Sequence, residues 1–282
     1  MSASTHPDLK GFDPAMEPMI EVRGLTKSFK GVQAVQDVSF DVAPGECFAL
    51  LGPNGAGKST TIKMLITMIA PDSGEAKVNG FSLKKEPARI RESIGYVPQS
   101  LSVDGSLTGL ENLTIFGKLY GLTHAELKER IPRILEMLDL TEAAGRPVVH
   151  YSGGMVRRLE IGQSILHRPE VVFLDEPTAG LDPVARNSLW GHIRDLRKEF
   201  GTTLLMTTHY MEEAQELCDR IAIMEKGRIK VMGTLKELRK KARLPRATMD
   251  QLFVYFVGTS EPDEQGGLAD VKRSRRTAQR LG

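Results

Sequence analysis

GPNGAGKST, residues 52–60, stands between the apolar pentapeptide CFALL (47–51) and a second apolar stretch that runs to Ile69. Gly52, Gly57, Lys58 and Ser59 satisfy the spacing G-x-x-x-x-G-K-[ST], and Pro53, Asn54, Gly55, Ala56 and Thr60 complete the loop. Bare glycines let the backbone curl until successive N–H groups point at phosphate oxygens, and the helix that follows presents its positive dipole end to the same atoms. Lys58 can reach the β- and γ-phosphates, and the Ser59 hydroxyl is placed to ligate Mg2+. A chance glycine turn would lack the flanking strand and helix. Both are predicted here, the helix over Thr60 to Ile69 with Pro71 ending it. The loop therefore predicts an α/β P-loop core whose ligand is ATP. A phosphate loop does not by itself choose among kinases, GTPases and motor ATPases.

Working outward, Ile20 to Val22 and Val38 to Val42 alternate apolar and polar residues, as half-exposed antiparallel strands do, whereas CFALL is continuously apolar like a buried parallel strand. Pro44-Gly45 supplies the turn between the last two. From about Gln99 to His150 the pattern turns helical. Thr123 and Glu126 form a capping box ahead of an apolar stripe at Leu127, Ile131, Ile134, Leu135 and Leu138. Strand patterns return at Val171 to Leu174 and Thr203 to Thr207, with a helix between them that Asp182 caps and Pro183 opens. Ile221 to Met224 and Arg228 to Val231 read as two short strands joined at Lys226-Gly227. Beyond Thr234, Leu235 to Lys241 reads as helix and Met249 to Val257 as an apolar-aromatic patch. There is no internal repeat.

At 282 residues and 40% hydrophobic, the chain suits one large α/β domain or a domain with an appended piece. A net charge of +2 gives no general signal for nucleic acid, and none is expected as a partner. Cys47 and Cys218 have no metal-ligand spacing and read as buried thiols in a reducing compartment. Residues 1–18 lack an apolar signal core and read as a flexible lead-in. No stretch approaches the ~18 to 20 apolar residues of a membrane span; the run from Met64 to Ala70 contains Thr67 and stops at Pro71.

VVFLDEP (171–177) ends a predicted strand with adjacent acids. Asp175, at the end where open α/β sheets bind ligands, would hold Mg2+ through water, and Glu176 is suited to polarise an attacking water as general base. With YSGGM (151–155), the ordered set resembles the nucleotide-binding subunit of ATP-binding-cassette (ABC) transporters over about Met19 to Leu238. The resemblance implies a RecA-like P-loop NTPase core with an antiparallel β subdomain, a helical insert at about 99–158, and a small C-terminal extension over 239–282.

It also implies roles, residue by residue. Ser152, Gly153 and Gly154 would bind the γ-phosphate of ATP held by a second copy, so that two shared sites form in a dimer. Phe29, in the turn TKSFKGVQ, would stack on adenine. Gln99 in GYVPQ would join Mg2+ and the γ-phosphate to the helical insert. AGLD (179–182) would cross the dimer interface beside Glu176, and His209 would be the switch histidine that contacts the γ-phosphate. Glu176, His209 and Lys58 would thus carry catalysis, with Ser59, Gln99 and Asp175 at the metal.

Two departures stand out. Tyr151 and Met155 replace the Leu and Gln that flank the signature in most of the family, and Gly162-Gln163 stands where Ala-Arg is common. The Tyr and Met forms, and the ending ATMDQLFVYFVG (247–258), resemble the drug- and antibiotic-export branch (ABC-2 type, daunorubicin-resistance-like), whose permease is encoded separately. That implies an ATPase on the cytoplasmic face of the membrane, bound to an integral-membrane permease. An importer subunit, a soluble ABC ATPase of translation or repair, and a non-catalytic nucleotide switch are the alternatives. The basic end, Lys272 to Arg280, reads either as a solvated tail or as a contact for anionic lipid.

Overall fold

The computed structural model describes residues 17–258. The expected lead-in, apart from Glu17 and Pro18, and the basic end from Lys272 to Arg280 lie outside the described residues. Strands β1 (Ile20–Phe29) and β2 (Val32–Val42) form an antiparallel hairpin, with Ile20, Val22, Val38, Phe40 and Val42 all buried. Both are longer than their alternation suggested. Register shifts between Val22 and Leu25 and again before Lys27 break the two-residue period while pairing continues. Phe29 is accordingly the last residue of β1 and not a turn residue.

Strand β3 (Cys47–Leu51) is buried along its whole length and leads through the glycine loop into α1 (Lys58–Leu65). This helix starts earlier and stops sooner than expected. Gly57 caps its start, and Thr67, with φ 65°, turns the chain out of the helix before Pro71 is reached. Strands β4 (Ser73–Val78) and β5 (Phe81–Ser82) then complete a four-stranded sheet in the order β2-β1-β4-β5.

Helix α2 (Pro87–Ser93) and strand β6 (Ile94–Val97) lead into a helical region made of α3 (Gly109–Leu119), α4 (His124–Met137) and α5 (Gly153–Ile165). The capping box at Thr123 and Glu126 is present at the start of α4, and the stripe from Leu127 to Leu138 is buried. Helix α5 is buried on nearly every side. From Val156 to Ile165 all but Arg158 are buried, because α5 lies between α3, α6 and the sheet.

The chain continues as β7 (Val171–Asp175), α6 (Pro183–Phe200), β8 (Thr203–Thr208), α7 (Met211–Leu217), β9 (Arg220–Glu225) and β10 (Arg228–Gly233). Helices α8 (Leu235–Ala242) and α9 (Met249–Val257) close it, and α9 packs on α7, α8 and β9. The second sheet runs β10-β9-β3-β8-β7-β6, parallel from β9 to β6 with β10 an antiparallel edge.

Alternate residues of this sheet enter two cores. Cys47, Ala49, Leu51, Val172 and Leu174 face the helical side, and Phe48, Leu50, Val171 and Phe173 face the antiparallel sheet. Covered on both faces, the parallel strands are apolar throughout. Cys47 and Cys218 are free thiols whose sulfurs lie 3.4 Å apart, and burial pushes the Cys218 thiol up. Among the described residues no helix is long and apolar enough to cross a membrane.

The register decides where the chemistry gathers. Leu51 pairs with Thr208, and Asp175 with Thr207, so β3, β7 and β8 deliver their carboxyl ends side by side. Each of those ends carries one of the motifs, as expected for ligand sites in open α/β sheets.

Candidate functional site

The glycine loop is wedged into the fold. A Cβ on Gly52 would lie 2.4 Å from the Met224 carbonyl oxygen, and one on Gly57, at φ +99°, 2.4 Å from that of Ala34. Any larger residue would push the loop off β2 and β9. Lys58 is buried, and its Nζ donates to the Gly52 and Pro53 carbonyls at 2.9 and 3.1 Å. The same nitrogen lies 3.3 Å from Glu176 Oε1.

Asp175 accepts two hydrogen bonds on Oδ1, from Ser59 Oγ at 2.8 Å and from Thr207 Oγ1 at 2.5 Å. Thr207 Oγ1 in turn accepts the Glu176 N–H at 3.0 Å. Glu176 adopts φ 50°, a left-handed conformation that costs a non-glycine residue roughly 1–3 kcal/mol and persists only where the surroundings enforce it. Its other carboxylate oxygen, Oε2, lies 3.2 Å from His209 Nδ1 and accepts from Gln99 Nε2 at 3.3 Å. Four residues from four separate motifs thus converge: Lys58, Gln99, Glu176 and His209. Asp175 also reaches Tyr96, whose hydroxyl is pushed up to about 12 by burial and by the negative charge of Asp175.

These groups fit MgATP. The donor set beside the loop is one hydroxyl and one carboxylate, and the described residues hold no cluster of three His, Cys, Asp or Glu that would cage a different metal. Mg2+ characteristically takes one or two protein ligands and fills the rest with phosphate and water.

Phe29 is 46% exposed at the end of the β1–β2 hairpin, and Val35 and Ala34 of the same hairpin touch Gly57. An exposed aromatic therefore stands on the hairpin that braces the loop. Asp182 caps α6 by accepting from Val184 N and Ala185 N at 2.9 and 3.0 Å.

Ser152 caps α5, accepting from Met155 N at 3.3 Å. Its turn is largely exposed, and no glycine-loop atom of its own chain comes within 4 Å of where a Cβ on Gly153 or Gly154 would stand. Gly153 and Gly154 lie against Leu181 and Ala185 instead, which puts the signature beside the AGLD segment.

Both departures from the signature pattern have a packing reason. The Tyr151 hydroxyl donates to the Ala143 carbonyl at 2.7 Å and fills the space over Gly109, where a Cβ would come within 2.4 Å of it. Arg146 lies over the Tyr151 ring and also donates to Met155 Sδ at 3.8 Å. Both side chains thus bind the signature turn to the helical region. At Gly162 a Cβ would meet Leu138 and Ile134 at 2.9 and 3.0 Å, so α5 and α4 approach closely there, and the buried Gln163 donates to the Asn112 carbonyl at 3.4 Å.

Several residues escaped sequence reasoning. Thr207 bridges the two acids, and nothing in the string TLLMTT sets it apart from Thr203 and Thr208 of the same buried strand. Arg157 and Glu160 form a buried pair on α5. Glu213 is fully buried on α7, receives the Trp190 indole N–H at 3.2 Å, and burial pushes its carboxyl up.

A glycine loop and strand-end carboxylates at one edge of a mainly parallel sheet define a P-loop nucleotide-binding α/β protein. The family model described as ABC transporter matches residues 35–179. Over 236 residues the chain is 43% identical to the linearmycin resistance ATP-binding protein LnrL of Bacillus subtilis (strain 168), spanning 84% of this chain and 75% of that protein. It is 46% identical over 220 residues to the daunorubicin/doxorubicin resistance ATP-binding protein DrrA of Streptomyces peucetius, spanning 78% and 66%. Among solved structures it resembles a dimeric ATP-binding cassette in a post-hydrolysis state bound to ADP and Pi, with TM-score 0.69 and 25% identity over 77% of this chain and 99% of that one. The chain belongs to the ABC transporter family.

Proposed function

We propose that this chain powers export of a drug, antibiotic or glycolipid through a separate integral-membrane permease, by hydrolysing ATP in a dimer of two copies. Support for export comes from the two relatives with antibiotic-resistance names and from Tyr151 and Met155 in the signature. Support for a dimer comes from Ser152 and Gly153, which are exposed at the start of α5, and from the dimeric assembly of the solved cassette. We divide the chain accordingly into an ATPase domain at 19–238, with the helical insert at about 99–158, and a C-terminal extension from 239.

The observation that carries the mechanism is the convergence of Lys58, His209 and Gln99 on the Glu176 carboxylate. Lys58 and the loop amides, from Gly52 to Thr60, bind the β- and γ-phosphates, and Phe29 stacks on the base. Ser59, Asp175 and Gln99 would hold Mg2+, which supplies charge neutralisation at the β- and γ-oxygens. Glu176 takes the proton of the attacking water while His209 and Gln99 keep the carboxylate aimed. Ser152, Gly153 and Gly154 of the second copy close over the γ-phosphate, and their grip is lost when phosphate leaves.

Glu176→Gln tests this directly. It keeps the shape and the Gln99 contact but removes the base, so ATP binding should persist while hydrolysis falls at least ~10²-fold. Near-normal turnover would take Glu176 out of the role.

A further inference from the structure

Arg157 and Glu160 lie one turn apart on the buried side of α5, with side chains 3% and 1% exposed. Arg157 Nη1 donates to Glu160 Oε2 at 2.8 Å and to the Pro98 carbonyl at 2.7 Å, and its Nη2 donates to the Gln99 carbonyl at 2.8 Å. Glu160 Oε1 accepts the Ser102 N–H at 2.5 Å and the Ser102 hydroxyl at 3.0 Å.

A buried ion pair is seldom a gain in stability over well-packed apolar residues. This one spends its remaining bonds on the main chain of residues 98–102. A planar guanidinium can span two successive carbonyls and a carboxylate at once, which a lysine cannot. The same α5 begins at Ser152, and the clamped segment carries the Gln99 amide that touches Glu176.

We propose that Arg157, braced by Glu160, is a positioning residue that locks the Gln99 segment to the signature helix and so holds the Gln99 amide on the Glu176 carboxylate, the contact present in the single chain. The proposal rests on Glu176 as the base and on the dimer. It adds the rigid route by which a movement of the signature helix would reach the base.

The test uses the full-length chain and steady-state MgATP hydrolysis. Arg157→Lys and Gln99→Ala should each lower kcat ~10- to 100-fold, the scale for a misplaced catalytic group, with KM for ATP within about twofold for Arg157→Lys, which leaves the glycine loop and the metal-side groups in place. Acting through one contact, the double variant should be no slower than the slower single. Losses that multiply would overturn the proposal. Arg157→Met with Glu160→Leu removes both charges and keeps the volume apolar, so it is expected to fold. Full activity in that chain would also overturn it.

A readout independent of turnover is hydrogen exchange on the Glu176→Gln chain. Adding ATP should protect residues 98–102 and 152–157 together. Protection of one segment without the other is inconsistent with a rigid link. If Glu176→Gln itself hydrolyses ATP normally, the proposed base fails; if it is inactive while the Arg157 and Gln99 losses multiply, only the link fails.

Discussion

Thr207 shows how much one hydroxyl can organise. It donates to Asp175 Oδ1 and accepts from the Glu176 N–H, holding both acids in register with β8 and helping to enforce the left-handed backbone of Glu176. Thr207→Val keeps the shape and removes one of the two bonds on Asp175 Oδ1 while the Glu176 N–H retains the Thr207 main-chain carbonyl at 3.1 Å, so the loss should be about 1 kcal/mol. Urea unfolding should show that deficit, and turnover should fall with it. Unchanged values in both would mean that the Thr207 bond is dispensable.

His167 is a residue of a different kind. Its ring stacks on Tyr120 with centroids 3.8 Å apart, and Nε2 faces the Ile94 carbonyl at 3.0 Å. Burial lowers its pKa from 6.5 to about 4. A histidine depressed in this way binds its proton more readily in the unfolded chain, so its stabilising contribution is present above pH 6.5 and is lost as pH falls towards 4. Linkage between the two values gives a loss of about 2 kcal/mol by pH 5. His167→Gln retains a donor towards Ile94 without the titration, so its stability should fall less than the wild type's between pH 7.5 and 5. Parallel curves would disprove the assignment.

At the scale of elements, the parts that sequence exposed best were those whose cause is local. The Thr123 box, the Asp182 cap with Pro183, and the CFALL strand were all readable, because each depends on side chains a few residues apart. The hairpin was underestimated because bulges erase the two-residue period without ending the pairing. The polar positions of helix α5 are buried as well, by partners distant in the chain that no local pattern reports. Helix α9 looked like an appendage, yet Met249 and Leu252 belong to the same core as Leu51 and Leu174. Leu252→Ala should therefore cost about 2–5 kcal/mol in global stability, as a core truncation does. A loss under about 0.5 kcal/mol in denaturant unfolding would show that α9 is separable.

Over the whole molecule, the proposed site would be built in halves. The loop, Asp175, Glu176, Gln99 and His209 lie together, while the exposed Ser152 turn lies beside Leu181. With ATP bound and hydrolysis blocked by Glu176→Gln, sedimentation should show a dimer. Adding Gly154→Arg should abolish it without affecting nucleotide binding by one copy. A monomer in the first case would remove the shared-site mechanism. Pulling the chain from native membranes should also bring an integral-membrane partner; its absence would favour a non-transport role.

Ligand class and motif order could be taken from the amino-acid string, because a phosphate loop is a matter of short-range backbone freedom and one lysine. What no local pattern contains is the meeting of Lys58, Gln99, Glu176 and His209. That follows from β3, β7 and β8 lying adjacent in one parallel sheet, with β6 next to β7, so segments far apart in the chain end at one edge. The Arg157 clamp was hidden for the same reason. An arginine in a helix is ordinarily a surface residue, and only packing against residues 98–102 makes it a buried fork.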